Sequence, residues 1–254
     1  MNPLVTICSP TYNQAHFLSQ FFDCILNQTY RPIELLFCND FSTDNTEDIV
    51  RPYLQSFKDA GIELGYIDNK ENLGAMGSPC IINQVLTTRP SKYMAWLEAD
   101  DLYKPEKIAK SVAFLEANPD FVAVHTDHDR VEYDIETGEI CGISIKHWEK
   151  DRKIPHPTTA DFLADTLNSI MTCTFVCRKD VWDECPKHQE WINRGYTFGD
   201  FPNYLWIANR HKIGYINESL SIYRVHKDSQ MNANKPAIIE STNKIIEDYR
   251  SGLL

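Results

Sequence analysis

Residues 93–103 read Tyr93-Met94-Ala95-Trp96-Leu97-Glu98-Ala99-Asp100-Asp101-Leu102-Tyr103, and they are the most informative part of the sequence. Its first five residues are apolar and predict a buried strand. The strand ends at three carboxylates, Glu98, Asp100 and Asp101. Like charges this close repel one another, and their burial is unfavourable unless a cation or hydrogen-bond donors compensate it. Hard cations such as Mg²⁺ and Mn²⁺ bind carboxylate and phosphate oxygens, so the cluster indicates a divalent metal that holds an anionic ligand.

A second interpretation of the same residues needs no metal. Acidic residues are common at the start of a helix, and Asp101 would then cap the helix that begins at Pro105 and Glu106. The cluster by itself does not distinguish the two interpretations, so the rest of the chain has to decide between them.

The bulk properties limit the class of protein. The chain has 254 residues, a net charge of −11 and a pI near 5.2, which argue against nucleic acid as a partner and against unaided binding to anionic lipid. No run approaches the ~20 apolar residues of a membrane span, and Met1 leads almost directly into a strand-like run at 4–8 rather than a signal peptide. The eight cysteines form no CxxC pair and indicate reduced thiols. We therefore expect a cytoplasmic protein without a transmembrane segment.

Strand and helix patterns alternate through the first half of the chain. Apolar runs predict strands at 4–8, 33–38, 62–67, 93–97 and 121–125, and helical spacing predicts helices at 14–29, 43–58, 78–88 and 105–117. Asn13 is a candidate cap for the first helix. Repeated β-α units predict an α/β fold with a Rossmann-like, mostly parallel sheet and helices on both faces.

The alternation ends after about residue 126. Residues 126–158 are polar and mixed. Later patterns predict a strand at 170–177, a helix at 200–210, two short strands at 212–216 and 221–225, and a terminal helix at 236–250. The terminal helix is expected to pack on the body or on a partner chain, so an oligomer remains open.

Polar side chains gather where the first four predicted strands end. The strands run into Ser9-Pro10-Thr11-Tyr12-Asn13, Asn39-Asp40-Phe41-Ser42-Thr43-Asp44, Asp68-Asn69 followed by Asn72-Leu73-Gly74, and Glu98-Ala99-Asp100-Asp101. Ligands of open α/β sheets bind outside these strand ends, so the four segments predict one shared crevice. Asp40 stands where a carboxylate can accept a hydrogen bond from a base or ribose. Ser42-Thr43-Asp44 also fits a helix cap, and Asn72-Leu73-Gly74 also fits an ordinary turn.

These motifs, taken in order, resemble those of the family 2 inverting glycosyltransferases, which have the GT-A fold. The downstream segment Tyr223-Arg224-Val225-His226 resembles the Tyr-Arg-x-His ending of that family. The resemblance covers about residues 4–228. It implies a single GT-A catalytic domain over 1–254, with a nucleotide-binding half at about 1–125, an elaborated acceptor-binding half at about 126–228 and a C-terminal helix at about 229–254.

The resemblance also implies roles for individual residues. Those expected to bind the nucleotide sugar are Pro10, Thr11, Tyr12, Asp40, Asn72, Gly74 and Glu98, with Asp40 at the uracil edge. Asp100 is expected to ligate Mn²⁺ or Mg²⁺, His226 to reach the metal or the diphosphate, and Asp101 to support Asp100 and cap the next helix. The catalytic base of the family is an acid that begins a helix in the second half, which assigns that role to Asp200. An acid at that position is also an ordinary helix cap.

Three positions depart from the family pattern. Glu98 replaces the usual first Asp of the metal motif. Gly77-Ser78-Pro79-Cys80 stands where an Arg-Asn pair is common, so a metal would neutralise more of the diphosphate charge. Gly199 stands where an acid often precedes the base.

Two other groups of residues are candidates for ligand contact. His125-Thr126-Asp127-His128-Asp129 fits either a second metal site or a polar strand exit near the acceptor. Trp148, Trp182, Trp191 and Trp206 are candidates for a sugar-stacking platform. Trp206 lies in an apolar helical pattern and is expected in the core, whereas Trp191, beside Glu190 and Asn193, is expected to contact the acceptor.

The sequence therefore predicts an inverting, metal-dependent glycosyltransferase. It would move a sugar from a nucleotide-diphosphate donor, most simply a UDP-sugar, to a glycan, lipid-linked or protein-linked acceptor hydroxyl. One alternative is a catalytically inactive nucleotide-sugar-binding scaffold, which Gly199 and the absent Arg favour. Another is a metal-dependent nucleotidyltransferase, although the loop from Ser9 to Gln14 lacks the glycines and basic residues that such an enzyme needs.

Overall fold

The computed structural model describes residues 2–144, 154–229, 232 and 234–254. Its strands are β1 (Val5–Thr11), β2 (Ile33–Asn39), β3 (Glu63–Asp68), β4 (Tyr93–Trp96), β5 (Leu102–Tyr103), β6 (Phe121–Tyr133), β7 (Ile140–Ser144), β8 (Phe175–Arg178) and β9 (Lys212–Val225). Its helices are α1 (Ala15–Leu26), α2 (Thr46–Asp59), α3 (Gly74–Thr87), α4 (Lys107–Ala117), α5 (Ala160–Asp165), α6 (Lys179–Glu184), α7 (His188–Asn193), α8 (Asp200–Arg210) and α9 (Lys235–Arg250), with a 3₁₀ turn at Thr172–Thr174. Across these ranges, no helix has the length and apolar character to cross a membrane.

All nine strands form one mixed sheet. Its order is β3-β2-β1-β4-β8-β6-β9-β5, and β7 pairs with β6. The strands β3, β2, β1 and β4 are parallel, so their carboxyl ends meet at one edge. β8 runs antiparallel to both β4 and β6 and thereby joins the two halves of the chain. The predicted α/β class is confirmed, with the parallel part located where the sequence motifs lie.

Alternate residues of the strands point into two separate cores. Ile7 faces the core that α1, α2 and α4 cover, whereas its neighbour Cys8 faces the core that α3 and α5–α9 cover. Because both faces of the sheet are buried, the central strands are continuous apolar runs rather than alternating ones. This arrangement confirms the prediction of helices on both faces.

In the second half, β7, α5, α6 and α7 were not predicted, and three predicted elements have different bounds. β6 continues to Tyr133 through residues predicted as polar and mixed, because they pair with β9 and β7. β9 is one strand rather than two, with register shifts against β6 near Asp127 that explain the apparent break. The segment predicted as a strand at 170–177 begins instead with the 3₁₀ turn and gives a shorter β8.

The loops after β1 and β2 hold each other in place. The predicted capping of α1 by Asn13 is wrong, because α1 begins after Gln14 and Asp44 Oδ2 accepts the N–H of Ala15 at 2.9 Å. Asn13 instead accepts the N–H of Thr43 at 2.8 Å. Asp44 also accepts the N–H of Thr46 at 3.1 Å, so its predicted capping of α2 is confirmed. These bonds join two of the strand exits that form the crevice.

Candidate active site

A crevice of about 600 Å³ lies at the carboxyl ends of the parallel strands, and residues of both halves of the chain line it. The residues that the sequence placed here and that do line it are Pro10, Thr11, Tyr12, Asp40, Asn72, Gly74, Glu98, Asp100, Asp101 and Asp200. His226 contacts Asp100 at 3.1 Å from behind the acidic segment. The fold thus brings together segments that are far apart in the sequence.

The first wall of the crevice is organised by Asp40, which is 3% exposed. Its Oδ1 accepts from the Asn69 side chain at 2.8 Å and from the Leu73 N–H at 3.0 Å, and its Oδ2 accepts from the Gly74 N–H at 2.8 Å. Gly74 has a φ of +74°, which glycine adopts readily. Asp40 therefore anchors the turn that starts α3. A carboxylate has about four acceptor sites, so capacity for a ligand remains.

Tyr12 stands at the mouth of the same wall. Its side chain is 47% exposed, although it is a large aromatic residue beside a cavity. The hydroxyl of Thr11 donates to Gln14 at 3.1 Å, which fixes the chain immediately before the loop. An exposed ring on a fixed loop offers a stacking surface for a nucleobase.

The second wall carries the acidic segment. Burial raises the pKa of Glu98 well above its usual range, and the nearby charges of Asp101, Asp100 and Asp200 raise it further. Burial and then the charge of Asp100 raise the pKa of Asp101, while the N–H of Arg224 opposes this rise. Carboxyl groups in this state are stabilised by a cation.

Arg224 holds the acidic segment in its bent shape. Its backbone N–H donates to Asp101 Oδ1 at 2.9 Å, and its guanidinium donates to the carbonyl of Asp100 and to Gln20 Oε1, the latter at 2.7 Å. The predicted capping of the next helix by Asp101 is wrong, because α4 begins only at Lys107 and Asp101 is engaged by Arg224. The Tyr-Arg-x-His segment thus fastens the acidic segment from the C-terminal half.

Asp200 begins α8 and lines the same crevice as the acidic segment. Burial raises the pKa of Asp200, and the N–H groups at the helix start and the side chains of Thr172 and Asn168 oppose that rise. The charge of Asp200 in turn raises the pKa of Glu98. A carboxylate with a raised pKa that opens onto a crevice is suited to accept a proton near neutral pH.

The floor of the crevice is aromatic, and of its residues the sequence analysis proposed only Trp182, as part of a sugar-stacking platform. Trp96, Trp182, His188 and Tyr204 all line it. Asn83 joins two of them, because its Oδ1 accepts from Trp182 Nε1 at 3.0 Å and its amide nitrogen lies 2.8 Å from His188 Nδ1. Burial lowers the pKa of His188 to about 4, so the ring is uncharged at neutral pH. These residues come from three helices and a strand, and no sequence motif connects them.

The imidazole of His188 explains the glycine that precedes Asp200. A Cβ atom added at Gly199 would lie 2.4 Å from Cδ2 of His188, which is closer than real Cβ contacts. An acid at this position would displace the ring. The departure from the family pattern is therefore a consequence of the packing of this floor.

The prediction that Trp191 contacts the acceptor is wrong. Trp191 is 1% exposed, and its Nε1 donates to Asn203 Oδ1 at 2.9 Å within the core. Trp206 packs against the core as predicted. Trp182 lines the crevice, and Trp148 lies outside the described residues. The polar neighbours of Trp191 face outward from a short helix whose other face is buried.

The polar run in β6 is buried within the sheet. His125 Nε2 lies 2.9 Å from Thr158 Oγ1, and burial lowers the pKa of His125 to about 3. His128, one of the ligand-contact candidates named from the sequence, lines the crevice, as do Arg130 and, from α9, Ile238 and Thr242, which the sequence analysis missed. Within the described ranges, no group of three or more His, Cys, Asp or Glu side chains is arranged to hold a metal ion.

Comparison with known proteins identifies the family of this chain. The model of the family described as Glycosyl transferase family 2 matches residues 6–186. An uncharacterized glycosyltransferase of Haemophilus influenzae is 26% identical over 249 residues, covering 96% of this chain and 72% of its own length. The Escherichia coli protein WfgD, named UDP-Glc:alpha-D-GlcNAc-diphosphoundecaprenol beta-1,3-glucosyltransferase, is 26% identical over 202 residues, covering 69% of this chain and 76% of its own length.

Solved structures show the same fold. S. aureus TarS 1-349 in complex with UDP-GlcNAc has a TM-score of 0.65 at 14% identity, covering 95% of this chain and 65% of its own. The mannosyltransferase PcManGT of Pyrobaculum calidifontis, in complex with GDP-Man and Mn²⁺, has a TM-score of 0.62 at 16% identity, covering 90% of this chain and 59% of its own. This chain therefore spans less than two thirds of either solved chain. With a family match over most of its residues and a GT-A fold, the chain belongs to glycosyl transferase family 2.

Proposed function

We propose that this protein is an inverting, metal-dependent hexosyltransferase that uses a UDP-sugar and a glycan or glycoconjugate acceptor. The observation that carries the proposal is the convergence of Asp40, Asp100 and Asp200 on one crevice. Asp40 lies on the wall with the exposed Tyr12 ring, Asp100 lies at the acidic segment, and Asp200 opens onto the same space. This arrangement suits a nucleobase bound at Asp40, a diphosphate at Asp100 and an acceptor hydroxyl at Asp200.

The side chains around Asp100 fit a divalent cation. Its Oδ2 lies 3.1 Å from His226 Nε2, and Nδ1 of His226 has no hydrogen-bond partner in the described part of the chain. Mg²⁺ and Mn²⁺ are commonly held by one or two protein ligands together with substrate phosphate oxygens, so a preformed cage of three side chains is not needed. When bound, such a cation neutralises charge that develops on a leaving diphosphate. The Mn²⁺ in the PcManGT complex supports this assignment.

The residues of the chain supply the remaining steps. Asp200 accepts the proton of the acceptor hydroxyl as the oxygen attacks the anomeric carbon. The bond to the diphosphate breaks on the opposite face, so a single displacement inverts the anomeric centre and releases the nucleoside diphosphate. Glu98, between Asp100 and Asp200 in the crevice, is placed to contact the ribose or the donor sugar.

The proposal also specifies the nucleotide of the donor sugar and the cellular compartment of the protein. The name of WfgD and the TarS complex support a UDP-sugar, whereas the GDP-Man of PcManGT makes GDP the competing nucleotide. The alpha-D-GlcNAc-diphosphoundecaprenol acceptor named for WfgD supports a role in polysaccharide or glycoconjugate synthesis. All eight cysteines are free thiols, which supports a reducing cytoplasmic location.

Thermal unfolding with UDP, GDP and dTDP, each with and without Mn²⁺, tests the proposal. A ligand that binds only the folded state raises the melting temperature by mass action. We expect the largest rise with UDP and Mn²⁺, and loss of its Mn²⁺-dependent part in Asp100→Ala but not in the exposed control Asp120→Ala. Absence of any shift at millimolar nucleotide and metal contradicts the proposal. Binding of UDP without turnover of any UDP-sugar favours the inactive scaffold instead.

A further inference from the structure

We propose that Asn168 and Thr172 are positioning residues that orient the carboxylate of Asp200 toward the acceptor hydroxyl. Both donate to the same oxygen, since the Asn168 amide and the Thr172 hydroxyl each lie 3.4 Å from Asp200 Oδ2. Bonds of this length are loose, as is common for catalytic groups without a substrate. The inference rests on the proposed role of Asp200 as the base.

Asn168 is brought to Asp200 by an unusual helix end. Helix α5 ends in a turn in which the N–H of Asn168 donates to the carbonyl of Leu163 at 3.1 Å, and Leu167 and Asn168 have φ values of +57° and +68°. The first of these positions is usually glycine in such a turn, because a side chain there is strained. Asn tolerates the left-handed conformation, whereas Leu does so poorly.

Burial does not compensate the strain at Leu167. Its side chain is 60% exposed at the rim of the crevice. Strained residues that lack a packing reason occur mainly at functional sites. The turn therefore retains a conformation that places the amide of Asn168 against Asp200.

Thr172 is fixed from the opposite side by the 3₁₀ turn. The buried Lys107 donates to the carbonyl of Thr174 at 2.7 Å, and the hydroxyl of Ser221 donates to the carbonyl of Cys173 at 2.7 Å. Two buried anchors thus hold the backbone next to Thr172. Donors from two independently fixed segments define the orientation of the carboxylate more tightly than one donor does.

The surroundings of Asp200 favour its protonated form, and the hydrogen bonds from Asn168 and Thr172 counteract this effect. Glu98 faces Asp200 from the end of β4, Tyr204 lies one turn along α8, and the uncharged His188 of α7 packs behind Gly199. α9 contributes only the neutral Ile238 and Thr242 to this space. Hydrogen bonds from neutral donors stabilise the charged carboxylate, so their removal shifts the equilibrium toward the protonated form.

A ¹³C NMR titration of the Asp200 carboxyl group measures this directly, without donor or acceptor. Asp200→Asn identifies the signal. We expect Asn168→Gly, which keeps the left-handed backbone, and Thr172→Val each to raise the pKa of Asp200 by about one unit, a roughly tenfold shift in its protonation. Thr172→Ser retains the hydroxyl and is expected to restore the wild-type titration. Leu167→Gly relieves strain and is expected to raise the melting temperature with the titration unchanged.

An Asp200 titration that stays at its wild-type position in both Asn168→Gly and Thr172→Val overturns the positioning role. Equal shifts in Thr172→Val and Thr172→Ser also contradict it, because the hydroxyl is then irrelevant. Turnover of UDP-sugar by Asp200→Asn separates this failure from that of the proposed function. An active Asp200→Asn removes the base itself, whereas an inactive Asp200→Asn with unshifted titrations removes only the role of its neighbours.

Discussion

Asp40 and Asp200 line the same crevice but are held in different ways. Three donors within 3.0 Å bind the carboxylate of Asp40, and they belong to the turn that it anchors. Asp200 receives two side-chain donors at 3.4 Å, and burial raises its pKa. The carboxylate of Asp40 is therefore held by its own turn, whereas Glu98, Asp101 and Asp200 lie in surroundings that raise their pKa.

The buried acids also affect the free energy of unfolding. The pKa values of Glu98, Asp101 and Asp200 are all raised in the folded chain. Such groups favour folding fully at a pH below their unfolded pKa of about 4, and this contribution is lost as the pH rises through the folded pKa. At neutral pH these acids oppose folding. These three buried acids thus lower the stability of the fold at neutral pH.

Asp200→Asn is expected to have the largest effect of these substitutions, and it changes both turnover and stability. Loss of a general base lowers turnover by about 10²- to 10⁴-fold. The same change removes a carboxyl group with a raised pKa, so the melting temperature at neutral pH is expected to rise. Release of UDP from a UDP-sugar and thermal unfolding measure the two effects. Asp120→Asn is the exposed control, and wild-type turnover in Asp200→Asn would refute the assignment of the base.

Asp40→Ala tests how the carboxylate of Asp40 stabilises the first wall of the crevice. Removal of the carboxylate leaves the N–H groups of Leu73 and Gly74 without their acceptor, which is expected to lower the free energy of unfolding by about 3 kcal/mol. Urea unfolding measures this loss, and Lys70→Ala, which removes only an exposed ion pair, is the control. If Asp40→Ala instead loses UDP binding at unchanged stability, its carboxylate serves the nucleotide rather than the turn.

The first wall was readable from the sequence because its parts are local. The strands β1–β4 are buried apolar runs, and each is followed directly by the polar residues that line the crevice. Asp40 and Asn72 are separated by one β-α unit, so the parallel sheet brings them together. Even here the local pattern misassigned a cap, because Asp44 reaches α1 from the neighbouring loop.

The second wall depends on contacts that no local pattern contains. Arg224 binds the carbonyl of Asp100, far away in the sequence, and only the pairing of β9 with β6 and β5 positions it. Asp127 lies within β6, although the strand predicted from the sequence ended at His125, and both side chains are buried in the sheet. The chemistry of Asp200 was assigned through family resemblance, but its neighbours Asn168 and Thr172 were not.

Lys107→Met tests how a buried lysine changes the dependence of the unfolding free energy on pH. Burial lowers the pKa of Lys107 to about 7, whereas in the unfolded chain it is about 10.4. The unfolded state binds more protons between these values, so the contribution of Lys107 to stability rises with pH across that window. The difference in unfolding free energy between wild type and Lys107→Met is expected to change by on the order of 3 kcal/mol from about pH 7 to about pH 9.5. Lys92→Met, at an exposed position, is expected to give a constant difference.

Trp182→Phe and Trp191→Phe form the matched pair with the smallest expected effect. Each change removes an indole N–H from a buried Asn, Asn83 in one case and Asn203 in the other. Each is therefore expected to lower the free energy of unfolding by about 1–3 kcal/mol.

Only Trp182 lines the crevice, and only its Asn83 also contacts His188. The KM for the UDP-sugar is thus expected to rise in Trp182→Phe, by about threefold or more, and to stay unchanged in Trp191→Phe. A change in KM of equal size in both variants means that the aromatic floor acts through general stability, and the distinction between a core tryptophan and a site tryptophan is then lost.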